Sequence, residues 1–93
     1  MLTVNSYFDD NVKSIGFSGE SLPATVGVIS AGEYTFDTSK HETMTIVSGA
    51  LTVQLPNTTE WTTFSAGDSF EVAANTVFTV KSDGDTAYLC TYA

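Results

Sequence analysis

His41-Glu42-Thr43-Met44-Thr45-Ile46-Val47-Ser48-Gly49 opens the segment that decides the fold, and Ala50-Leu51-Thr52-Val53-Gln54-Leu55 completes it. β-Branched and apolar residues dominate both halves, which favours strands. Gly49 stands between them, where a tight turn needs a positive φ. An acid therefore begins one strand, a glycine ends it, and a second strand returns. Side chains alternate across a strand, so a Glu42 that points inward takes Met44, Ile46 and Ser48 with it.

The same rhythm extends outward in both directions. Short segments rich in Val, Ile, Thr, Phe and Tyr recur between turn residues. Nine strands are expected, near Val12–Phe17, Ala24–Ile29, Glu33–Asp37, Glu42–Ser48, Ala50–Leu55, Glu60–Phe64, Ser69–Val72, Val77–Ser82 and Thr86–Tyr92. Ala31-Gly32 and Ala66-Gly67 offer further glycine turns, and Asp83-Gly84 is a hairpin signal. Pro56 ends its strand because proline cannot donate to a ladder. Phe70 and Val72 flank Glu71, so that pair faces in, as do Phe78 and Val80. No helix-period stretch, linker or repeat interrupts the pattern. The reading is one all-β domain over residues 1–93, an antiparallel sandwich or barrel.

Composition narrows the partners. The 93 residues carry a net charge of −8, with Lys13, Lys40 and Lys81 as the cations. Such a chain repels a phosphodiester backbone, so nucleic-acid polymers are not expected partners. Anionic membranes are disfavoured for the same reason. A small anion remains possible, because backbone N–H groups and one lysine can hold it locally. Cys90 is the sole cysteine, so no intrachain disulfide forms, and its apolar strand suits a buried thiol. With no long apolar run and no leader pattern, the expected location is cytoplasmic. A core this small gains from a partner subunit, and a homodimer formed through strand edges or a sheet face is expected.

The spacing from Glu42 to Gly49 resembles the back half of the first cupin motif. The histidine pair of its front half is missing, since Thr35-Phe36-Asp37-Thr38 stands there. The second motif lies on Gly67 to Phe78, with Ala73 for a proline, Asn75 for a glycine and Phe78 for a histidine. Cupin metals usually take three histidines and a glutamate. Here His41 is the one histidine, and as a strand neighbour of Glu42 it points to the opposite face. Neither a metal nor another cofactor is expected. Cys90 has no evident base partner, so a nucleophilic triad is weakly supported. Ser18-Gly19-Glu20-Ser21 is a turn with N–H groups that an anion could use. Glu42 reads two ways: as a structural strand-end residue, or as a carboxylate at a barrel mouth whose pKa desolvation raises.

Nearly the whole chain resembles the small cupin family of pyrimidine/purine nucleoside phosphorylases. The matching runs are Tyr7-Phe8, Val12-Lys13-Ser14-Ile15-Gly16-Phe17, Ala24-Thr25-Val26-Gly27-Val28 and Gly32-Glu33-Tyr34-Thr35-Phe36. Met44-Thr45, Ser48-Gly49-Ala50-Leu51-Thr52-Val53, Leu55-Pro56, Trp61, Ala66-Gly67, Phe70, Tyr88-Leu89-Cys90 and Tyr92 continue the likeness. Departures fall at Ala73-Ala74-Asn75 and at Thr91. The resemblance implies a cupin-type double-stranded β-helix, a jelly-roll barrel. It also implies an enzyme that turns a purine or pyrimidine nucleoside and inorganic phosphate into free base and ribose 1-phosphate. That chemistry passes through an oxocarbenium-like state and needs no metal. Lys13 is then the candidate for the phosphate and Glu42 for the ribose hydroxyls or the charge at C1′. Tyr34, Phe36, Phe78 and Tyr88 are candidate stacking surfaces for the base, although core packing is the better reading of each taken singly. Two rival readings stand beside it: a metal-free cupin that binds a sugar or nucleoside without catalysis, and an interaction protein whose barrel its own side chains fill.

Overall fold

The computed structural model describes residues 2–93, and among these the secondary structure is entirely β. Ten strands form two antiparallel sheets. They are β1 (Thr3–Tyr7), β2 (Val12–Ser18), β3 (Pro23–Ile29), β4 (Gly32–Asp37) and β5 (Glu42–Ser48), then β6 (Ala50–Gln54), β7 (Thr62–Ser65), β8 (Ser69–Val72), β9 (Val77–Ser82) and β10 (Thr86–Tyr92). The larger sheet runs β1-β2-β3-β10-β5-β8 and the smaller runs β4-β9-β6-β7.

Period-two alternation explains how the sheets close on each other. In β2, Val12 and Ser14 are buried while Lys13 and Ile15 are exposed. In β9, Phe78 and Val80 are buried, as are Phe70 and Val72 of β8. Ile29, Ile46, Leu51, Val53 and Val80 meet in the middle, each almost wholly removed from water. Gly49 has φ +87, as the turn between β5 and β6 requires. A Cβ there would also meet Thr86 Oγ1 at 2.8 Å.

Three details depart from the sequence expectations. A tenth strand exists: β1 lacks apolar alternation and is largely exposed, and its ladder with β2 alone defines it. The strand expected at Glu60–Phe64 lies at Thr62–Ser65 instead. Ser48 is exposed although Met44 and Ile46 point inward. The cause is a bulge, since Tyr88 pairs with Ile46 but Ala87 pairs with Ser48. Val47 is the extra residue, and it resets the alternation.

The 73–76 turn accounts for one motif departure. Asn75 has φ +58, a left-handed conformation that asparagine tolerates better than other residues with a Cβ. Thr38 ties this turn down, its hydroxyl donating to Ala73 O at 2.7 Å. Phe78, in the place of a histidine, is buried and stacks on Phe36 with centroids 5.6 Å apart.

Candidate active site

A cavity of about 390 Å³ opens between the sheets, within the range of small-molecule sites. Its wall has two characters. The apolar side is built by Phe8, Ile29, Phe36, Met44 and Phe78. The polar side is built by Ser14, Glu42, Tyr88, Cys90 and Tyr92, with Tyr7 and Asp37 also lining the space.

Strand geometry gathers the polar side. Tyr88, Cys90 and Tyr92 sit at alternate positions of β10 and so share one face. Antiparallel register puts Glu42 opposite Tyr92 and Met44 opposite Cys90. Across β3 and β2, the row runs Tyr88, Gly27, Ser14, Asn5. Gly27 is required there: a Cβ would lie 2.5 Å from the Tyr88 ring. The ring lies over the glycine, and its edge reaches toward Ser14. Asn5 Nδ2 donates to Ser14 Oγ at 3.3 Å, and Tyr92 Oη bonds Thr25 Oγ1 at 2.9 Å.

Glu42 is half-buried, and desolvation raises its pKa above the ordinary 4.5. The Cys90 thiol donates to Glu42 Oε1 at 3.4 Å and opposes part of that rise. Cys90 itself is pushed up to about 12 by burial and then by the Glu42 charge. It is therefore a neutral thiol at physiological pH and no nucleophile. Burial likewise raises Tyr88 to about 12, with the Ser14 hydroxyl opposing the shift. Both are neutral hydrogen-bonding groups at neutral pH.

Four of the six site residues expected from sequence come together here: Glu42, Phe36, Phe78 and Tyr88. Tyr34 is buried beside them, its ring 5.1 Å from Phe8 and its hydroxyl donating to Ala31 O at 3.0 Å. It does not line the cavity. Lys13 lies on the other face of β2, exposed, and is not brought to the cavity. No Lys, Arg or His lines this cavity among the described residues. Ser14 and Tyr92 escaped the sequence reading, although the Tyr88-Cys90-Tyr92 alternation carried a usable signal. His41 turns away from Glu42 and sits 3.1 Å from Glu71 Oε1. The Ser18–Ser21 turn is closed on itself, since Gly19 N donates to Leu22 O at 3.0 Å. Among the described residues no three His, Cys, Asp or Glu side chains gather as metal ligands.

A family model described as pyrimidine/purine nucleoside phosphorylase matches residues 2–92. The chain belongs to the pyrimidine/purine nucleoside phosphorylase family. A family member from Marinobacter nauticus is 65% identical, covering 99% of both chains. One from Hahella chejuensis is 61% identical over the same share of each. Among solved structures, a protein described as of unknown function from Vibrio parahaemolyticus superimposes with TM-score 0.95 at 45% identity. It covers 100% of this chain and 99% of its own. An RmlC-like cupin from Shewanella frigidimarina superimposes with TM-score 0.76 at 17% identity, covering 97% of this chain and 81% of its own. At that identity the likeness speaks for the fold, and the fold is a cupin-type β-sandwich.

Proposed function

We propose that the cavity catalyses phosphorolysis of purine and pyrimidine nucleosides. One observation carries this reading: the half-buried Glu42 faces the same cavity as the Phe36–Phe78 stack. The aromatic side suits a flat base and tolerates its identity, since every base has a π-face. The hydroxyls of Ser14, Tyr88 and Tyr92 suit the ribose and the phosphate oxygens. In the reaction a phosphate oxygen bonds to C1′ as the C1′–N bond breaks. The base leaves with the bonding pair, and the proton of hydrogen phosphate ends on it. Positive charge grows at C1′ between these events, and the Glu42 carboxylate is the group to steady it. Positioning two reactants in one pocket supplies much of the remaining acceleration.

The phosphate is the demanding partner, because among the described residues the cavity holds two carboxylates, Glu42 and Asp37, and no cation. Hydroxyl donors and backbone N–H groups would have to hold it. That same observation favours a second reading, in which the cavity binds a nucleoside without cleaving it. Incubating the protein with inosine or uridine plus phosphate, followed by chromatography for free base, separates the two. Binding measurable by calorimetry with no base released would leave the second reading standing.

A further inference from the structure

Tyr7 ends β1 and Phe8 follows it directly, yet both side chains line the cavity. Strand geometry alone would not allow this, because neighbouring side chains point to opposite faces. Within β1 the inward phase falls on Asn5, which donates to Ser14, and on Tyr7 two residues later. A Phe8 that continued the strand would point away. Instead Phe8, Asp9 and Asp10 have φ +53, +56 and +68, three left-handed residues in a row and none of them glycine. That region is rare for a bulky side chain and is ordinarily visited singly. Strain of this kind clusters where a site needs a side chain that regular geometry does not deliver.

The turn is fastened from several sides. Asn11 N and Asn11 Nδ2 both donate to Phe8 O, at 3.1 and 2.9 Å. Ser30 N donates to Asn11 O at 2.9 Å, and Ser30 Oγ donates to Asn11 Oδ1 at 3.1 Å. Ser6 Oγ donates to Asp10 Oδ1 across the turn. The buried Tyr34 braces the Phe8 ring, and its hydroxyl is tied to Ala31 O. Phe8 is thus held in place without being buried, and it stays 43% exposed. Its ring stands at 87° to Phe36 with centroids 5.4 Å apart. The two rings make a right-angled corner in the cavity wall, which Phe36 continues onto Phe78.

We infer that Phe8 is a binding residue that completes the base pocket and holds a nucleoside by its base. The inference rests on the reading of the cavity as a nucleoside site and adds the residue that grips there. A flat heteroaromatic base laid on one ring of the corner meets the other with its edge, and aromatic rings favour both arrangements. The corner offers π-faces and no hydrogen-bonding group, so it suits purines and pyrimidines alike. Phosphate has no flat apolar face and gains nothing from it. Phe8 therefore acts on nucleoside binding and leaves phosphate binding alone.

The test is calorimetry with inosine in phosphate-free buffer, together with a turnover assay that varies inosine and phosphate separately. Phe8→Leu keeps apolar bulk and removes the π-face; Phe8→Tyr keeps the ring. Phe8→Leu is expected to weaken inosine binding and raise the inosine KM by about tenfold, the size of one base–aromatic stack. The KM for phosphate and the melting temperature should stay close to wild type. Phe8→Tyr should bind inosine as wild type does. A Phe8→Leu variant that binds inosine as tightly as wild type overturns the inference, and so does a Phe8→Tyr variant as weak as Phe8→Leu. A Phe8→Leu variant that unfolds, or whose phosphate KM rises equally, also overturns it, because Phe8 would then be holding the fold. Wild-type protein that binds inosine without cleaving it defeats the phosphorolysis reading, and the calorimetry still decides the role of Phe8. Wild-type protein that does not bind inosine overturns both.

Discussion

At the scale of single residues, Glu42 is the group whose environment works against its charge. Desolvation favours the protonated acid in the folded state, with the Cys90 hydrogen bond opposing. The folded pKa lies above the unfolded one, so this group's contribution to stability is most favourable at low pH and falls as pH rises through the folded value. Glu42→Gln removes the ionisation. It should therefore raise the melting temperature at pH 7, and the gain should shrink as pH drops toward 4.5. The same substitution should slow turnover by roughly a hundredfold, the ~3 kcal/mol of one transition-state charge contact. A variant that is both more stable and less active identifies a functional carboxylate; one that is less stable and fully active identifies a structural one. Cys90 gives a simpler readout. With its pKa near 12 and its side chain buried, it should resist iodoacetamide at pH 8 in the native protein and react promptly in denaturant.

The strands explain which parts of this account the sequence could reveal. Elements that alternate cleanly, such as β8 with Phe70 and Val72, declared their position and their buried face. β1 did not, because an edge strand with both faces near water carries no apolar alternation; its partner defines it. The Val47 bulge was equally silent, since one extra residue changes a register without changing a composition. Of the candidate site residues that line the cavity, Glu42 and Phe78 had an inward phase legible in the strand alternation, whereas Phe36 and Tyr88 stood out only as aromatics in the family resemblance. Lys13 illustrates the opposite case. It has the right charge for phosphate, yet Val12 and Ser14 on either side are the residues that face inward. Counting cations found it, and strand phase places it outside. Lys13→Ala should accordingly leave the phosphate requirement of catalysis unchanged, measured by varying phosphate at saturating nucleoside. The Gly27–Tyr88 contact makes a further element-level prediction. Gly27→Ala drives a methyl into the ring and should cost about 1–3 kcal/mol, seen as an earlier urea midpoint.

At the scale of the molecule, a small sandwich has divided its surfaces among three tasks. One sheet face and part of the other enclose the core; one end of their interface is left open and lined by hydroxyls, aromatics and a carboxylate. Acids and threonine hydroxyls dress much of the remainder, while Val4, Ile15, Val26 and Val28 leave one sheet face apolar. The central claim is that the open end performs phosphorolysis, and phosphorus NMR of a reaction with inosine tests it most directly. Ribose 1-phosphate is expected to accumulate in equal amount to free hypoxanthine, with no base released when phosphate is omitted. Hypoxanthine appearing at the same rate without phosphate, or none appearing with it, would contradict the account.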